Sequence, residues 1–193
     1  MRLLVTGSGR CGTTWLARCL RAAGIPAGHE KAFNLTRHGG PFVAECAWQA
    51  APYTPVPDCW TVHLVRHPLA TIRSRLSWGT FRFDDPAVRP VSHRLGRWAI
   101  QVCPEIGRWP TALERTAQHW VSWNRLVRAD RRVRLEDLNL GQVNRICRIV
   151  DPDAHLDGLP PPALPSPPSG PVTWDQVAHI PGLAELAEEY GYR

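Results

Sequence analysis

The chain has 193 residues, 44% of them hydrophobic, enough for one substantial core and little more, so a single domain spanning 1–193 is expected. The formal charge of +6 favours anionic ligands, but the arginines are dispersed and Lys31 is the only lysine, which argues against a polybasic arm for nucleic acid or a membrane surface. Six scattered cysteines include no C-x-x-C pair, so neither zinc nor a disulfide framework is expected and a reducing, cytoplasmic setting fits best; the three apolar residues after Arg2 are too few for a signal peptide or membrane span.

The first predicted element is a strand at residues 2–6, followed by the turn Gly7-Ser8-Gly9-Arg10-Cys11-Gly12 and a helix at 13–23 that opens with Thr13 and Thr14. Glycines let the backbone turn sharply and approach a ligand closely. The helix start adds unpaired amides and the positive end of the helix dipole, so this is a loop suited to phosphate. An extended segment then reaches Glu30. A helix is predicted at 41–50, a strand at 60–66 and a helix at 68–77, with Pro68 at its first position, where the missing N–H is harmless. Residues 79–92, with Pro86 and Pro90, read as a loop or lid. Helices at 93–107 and 110–129, a strand at 131–135 and a helix at 139–149 come next. Residues 158–171 are Pro-rich and read as a surface wrap. The βα alternation predicts an α/β fold: three layers, a mainly parallel central sheet with helices on both faces, and ligands at the carboxyl ends of the strands.

Three fingerprints compete for the glycine loop. Gly7 to Thr14 matches the nucleoside-triphosphate pattern G-x-x-x-x-G-K-S/T except that Thr13 replaces the lysine that neutralises the β- and γ-phosphates. Gly7 to Gly12 also satisfies G-x-G-x-x-G, with Glu30 about 20 residues on as a ribose-binding acid, so a dinucleotide-binding oxidoreductase using NAD or FAD is one alternative. A non-catalytic nucleotide-binding module is another. The third fingerprint pairs the loop with a second anion site, in which Arg66 ends a strand and Ser74 lies eight residues beyond it on the next helix.

These two motifs resemble those of sulfotransferases that use 3′-phosphoadenosine-5′-phosphosulfate (PAPS), a family with a P-loop-like fold that includes small bacterial members. The family's 5′-phosphosulfate loop has a basic residue, Ser-Gly-Thr-Thr, then Trp or Leu, and Arg10-Cys11-Gly12-Thr13-Thr14-Trp15 fits it with cysteine for serine. Its 3′-phosphate motif has an arginine before x-Pro and a serine eight residues later, as at Arg66 and Ser74. Leu135-Glu136-Asp137-Leu138 and the terminal Leu186 to Tyr192 are weaker echoes. The resemblance implies that Gly9, Arg10, Cys11, Gly12, Thr13, Thr14, Trp15, Arg66 and Ser74 bind PAPS and its product PAP, that no metal is needed, and that Glu136 and Asp137 organise the fold.

Sulfuryl transfer also needs a base for the acceptor proton. Glu30, in the context Gly28-His29-Glu30, is similar to a catalytic glutamate that related sulfotransferases carry after this helix; His29 is the runner-up, and Arg10 would stabilise charge on the bridging oxygen. A small-molecule or carbohydrate acceptor is expected, lined by loops at 31–58, 79–92 and 158–171. Trp120 and Trp123, at helical spacing, read first as core.

Overall fold

The computed structural model describes residues 2–30, 42–162 and 170–192. The chain divides into two compact units, one formed by Met1–Gly7, Cys11–Val65 and Leu126–Leu164, the other by Ser8–Arg10, Arg66–Arg125 and Pro165–Arg193.

The first unit is built on five parallel strands: β1 (Arg2–Thr6), β2 (Ala27–His29), β3 (Ala44–Cys46), β4 (Cys59–Val65) and β5 (Arg131–Arg134), in spatial order β2-β3-β1-β4-β5. The central strand β1 is apolar on both faces, as a parallel strand covered on both sides requires. Side chains alternate across it. Leu3 and Val5 enter a core with Leu16 and Leu20 of α1 (Thr13–Ala22) and with Val143 and Ile146 of α5 (Leu140–Val150), whereas Leu4 packs with Ala47, Ala50 and Val56 on the opposite face. From β1 the chain goes to β2 and β3 on one side and to β4 and β5 on the other. The carboxyl end of β1, where Gly7 begins the turn, is therefore a topological switch point. Dinucleotide-binding folds place strand 2 beside strand 1; here β3 takes that position.

Local chemistry sets the element ends. Helix α1 closes in a Schellman motif: Ile25 N–H donates to Leu20 O and Gly24 N–H to Arg21 O, both at 3.0 Å, with Gly24 at φ 82°. Helix α5 opens with a capping box between Asn139 and Gln142.

The second unit contains α2 (Pro68–Leu76), α3 (Pro90–Val102), α4 (Ala112–Leu126, its last residue in the first unit) and α6 (Leu183–Glu189). Its interior is aromatic. His119 stacks on Trp123 at 4.7 Å, Trp98 meets Trp123 edge-on at 5.3 Å, and Trp120 meets Tyr190 at 5.9 Å. Trp120 and Trp123 are both fully buried, so they are core residues.

The structure corrects three sequence expectations. The helix expected at 41–50 is, within the described residues, strand β3 and then a 3-10 turn at Trp48–Tyr53; a short apolar run does not distinguish a helix from a buried strand, and Pro52 keeps the helical turn short. The loop expected at 79–92 ends earlier, because Pro90 opens α3 as a first-turn proline instead of interrupting a loop. That helix also stops at Val102, before Pro104, and a separate 3-10 turn covers Pro104–Arg108. Residues 31–41 and 163–169, parts of the segments expected to line an acceptor pocket, lie outside the described residues.

Candidate active site

The glycine turn contributes to both units, Gly7 and Cys11–Thr14 to the first and Ser8–Arg10 to the second. In the first unit Gly7 lies against the backbone at the end of β4: a Cβ there would overlap Leu64 O. Gly12 is the N-cap of α1 at φ 106°, a conformation open to glycine; it has no side chain to cap the helix, no other described side chain caps it, and no acidic residue occupies its first turn. Among the described residues the first-turn amides thus have no side-chain partner, the condition in which a helix start attracts anions. Cys11 is fully buried and Thr13 nearly so. Trp15 donates its indole N–H to Pro160 O at 3.0 Å, which ties the start of the Pro-rich segment to α1.

His29, the last residue of β2, brings its Nε2 to 3.0 Å from Thr14 Oγ1, 3.4 Å from Thr13 Oγ1 and 3.6 Å from Glu30 Oε1. Both candidate bases and both threonines therefore meet at one helix start. Glu30 has a left-handed backbone, φ 54°, and its N–H donates to Glu45 Oε1 at 2.8 Å. Glu45 lies in β3 with its carboxyl buried. Burial raises its pKa, the nearby Glu30 charge adds to the rise, and the Glu30 amide bond and Arg21 oppose it.

In the second unit Arg10, Arg66 and Ser74 converge. Arg10 Nε donates to Ser74 Oγ at 3.0 Å, its guanidinium lies 4.8 Å from the Trp78 ring centroid, and Arg66 Nη1 donates to Arg10 O at 3.2 Å. Trp120 Nε1 donates to Arg66 O at 3.3 Å and so holds the main chain at Arg66 independently of its side chain. Ser8 Oγ is fully buried and has no hydrogen-bond partner among the described residues, and Gly9 is buried in the turn beside it. Arg10, like Glu30, has a positive φ, 76°. Among the described residues only Arg10, Glu30 and Asp58 are non-glycine residues with positive φ.

Three residues of these groups escape a sequence reading. Ser8 is an unremarkable member of the turn, Trp78 comes after a helix with no motif, and Glu45 sits alone in an apolar run that reads as a helix. Only β3 pairing beside Gly28 places that carboxyl next to Glu30.

The other reactive side chains offer little competing chemistry. Burial pushes the Cys19 thiol up to about 12, those of Cys103 and Cys147 up to about 11, and that of Cys46 well above its ordinary value. Among the described residues no three His, Cys, Asp or Glu side chains are placed to hold a metal ion. An open cavity of about 380 Å³ at the opposite end of β4 is lined by Asp58, Cys59, Trp60 and Asp130, and it contains none of the residues above. No described helix is long and apolar enough to cross a membrane. In comparisons with protein families, curated proteins and solved structures, the chain matches none.

Proposed function

We propose that the chain is a cytoplasmic PAPS-dependent sulfotransferase with the P-loop-like architecture of that family. It transfers the sulfuryl group of PAPS to a hydroxyl or amine of a small-molecule or carbohydrate acceptor. The observation that carries this reading is the joining of Arg10, Arg66 and Ser74 through two hydrogen bonds, since a loop arginine 56 residues from its partner has no local reason to meet it. The donor set suits an anion: two guanidinium groups, the Ser74 hydroxyl, and the buried Ser8 hydroxyl that lacks a partner among the described residues. The uncapped start of α1 suits one as well.

PAPS supplies the sulfuryl group, whose bond to the phosphate oxygen breaks as the bond to the acceptor oxygen or nitrogen forms, leaving PAP. The amides of Cys11 to Thr14 and the hydroxyls of Thr13 and Thr14 hold the 5′ end. Arg66 and Ser74 bind the 3′-phosphate, and Arg10 balances charge at the departing oxygen. Glu30 takes the acceptor proton, with His29 oriented beside it by the threonines. Positioning and electrostatics supply the rate, as in phosphoryl transfer.

Calorimetric titration with PAP, ATP and NAD, and then radiolabelled PAPS with a panel of phenols, sugars and amines, tests the proposal. PAP binding with transfer of label is expected. ATP or NAD binding without PAP binding refutes it, and PAP binding without transfer to any acceptor class reduces the protein to a binding module.

A further inference from the structure

Glu30 is held in an unusual way. A glutamate rarely adopts φ 54° unless its surroundings impose that conformation. The residue before it ends β2, so ladder pairing no longer fixes its backbone, and its N–H turns to the side chain of the neighbouring strand instead: Glu45 Oε1 accepts it at 2.8 Å. Glu45 is itself fixed, because β3 lies between β1 and β2, with Leu4 and Gly28 as its register partners. Its carboxyl is buried, and Oε2 has no hydrogen-bond partner among the described residues.

Gly28 makes this arrangement possible. A Cβ at Gly28 would overlap Glu45 Oε2 and approach its Cδ to 2.9 Å, so any larger residue displaces the carboxyl from the Glu30 amide. Glycine here serves close approach, not a positive φ. Among the described residues, the charged groups that act on Glu45 are Glu30 and Arg21.

We infer that Glu45 is a positioning residue for the base: its carboxyl, admitted by Gly28, locks Glu30 in the left-handed conformation that fixes the direction of the Glu30 side chain at the start of α1. This inference rests on the proposed role of Glu30. It explains a buried acid that a structural role alone leaves costly, since an apolar residue at the same strand position needs no partner.

Two measurements test it. In isotope-labelled wild-type protein the Glu30 amide proton is expected far downfield, with a shift that titrates with the Glu45 carboxyl, and Glu45→Gln is expected to abolish the titration while keeping an oxygen acceptor. In turnover of PAPS, Glu45→Leu and Gly28→Ala are expected to lower kcat by about 10²-fold with PAP affinity unchanged, the size of effect that misplacing a catalytic group by about 1 Å produces. Glu45→Gln recovers most of the loss. A Glu30 amide shift that does not titrate in wild type, or that titrates equally in Glu45→Gln, overturns the inference, as does a Glu45→Leu enzyme with wild-type kcat. If wild type neither binds PAP nor consumes PAPS, the sulfotransferase reading fails and the base with it, whereas the amide shift still decides whether Glu45 holds Glu30.

Discussion

Replacing Arg66 by alanine tests the second anion site most directly. The Arg66 side chain makes one described contact, Nη1 to Arg10 O at 3.2 Å, while its own carbonyl stays anchored by Trp120 Nε1, so truncation is expected to leave the main chain in place. The substitution has two effects. Loss of the charge-assisted bond to the Arg10 carbonyl costs about 1.5–3 kcal/mol at most and weakens every ligand of the loop alike. Loss of a charged partner for the 3′-phosphate costs a further 1.5–3 kcal/mol or so and is felt only by a ligand carrying that phosphate. At about 1.4 kcal/mol per factor of ten, selectivity for PAP over 5′-AMP is expected to fall about 10- to 150-fold. The assay is calorimetric titration of both nucleotides into wild type and variant, with circular dichroism as the check on folding. Equal weakening of PAP and AMP, or unchanged affinity for PAP, refutes the assignment of Arg66 to the 3′-phosphate.

Ser8→Ala removes a buried hydroxyl that has no partner among the described residues, so stability in urea is expected to stay level or rise by about 1 kcal/mol while PAP binding weakens; a loss of stability shows that the hydroxyl is satisfied in the folded protein. Gly12→Ala forces a side chain into φ 106° with Leu135 Cδ1 only 2.6 Å from the new Cβ, and an unfolding free energy lower by about 1–3 kcal/mol is expected. An unchanged urea midpoint contradicts that backbone conformation. His119 is fully buried, and burial first, then the Arg75 charge, hold its pKa well below the ordinary value. The unfolded chain therefore binds a proton that the folded chain refuses, so stability is expected to fall as pH drops below about 6.5, by about 1.4 kcal/mol per unit. His119→Phe removes that dependence, and a urea series across this pH range that shows no difference between the two proteins rejects it.

Some of these features are legible from the chain alone because they are local. The run from β1 through the glycine turn to α1 arises from a short apolar segment, a glycine at the N-cap and an unbroken helical pattern. The step from β4 to α2 arises from an apolar strand ending at a first-turn proline. The Arg66-to-Ser74 spacing is likewise a property of one strand end and one helix. Local rules also misled where two structures share one pattern, at 44–46 and at Pro90.

By itself, then, the sequence determined the parallel α/β alternation and the strand, glycine turn and helix from β1 to α1, since dihedral preference and helix start act over a few positions. Only the tertiary structure decided which residues meet. Arg10 and Ser74 are 64 residues apart, and no propensity brings them to 3.0 Å. The slot beside β1 goes to β3 and not β2, because strand pairing joins segments distant along the chain and local propensity does not select the partner. That choice, invisible in the run from Ala44 to Cys46, puts Glu45 next to Gly28 and gives Glu30 its partner.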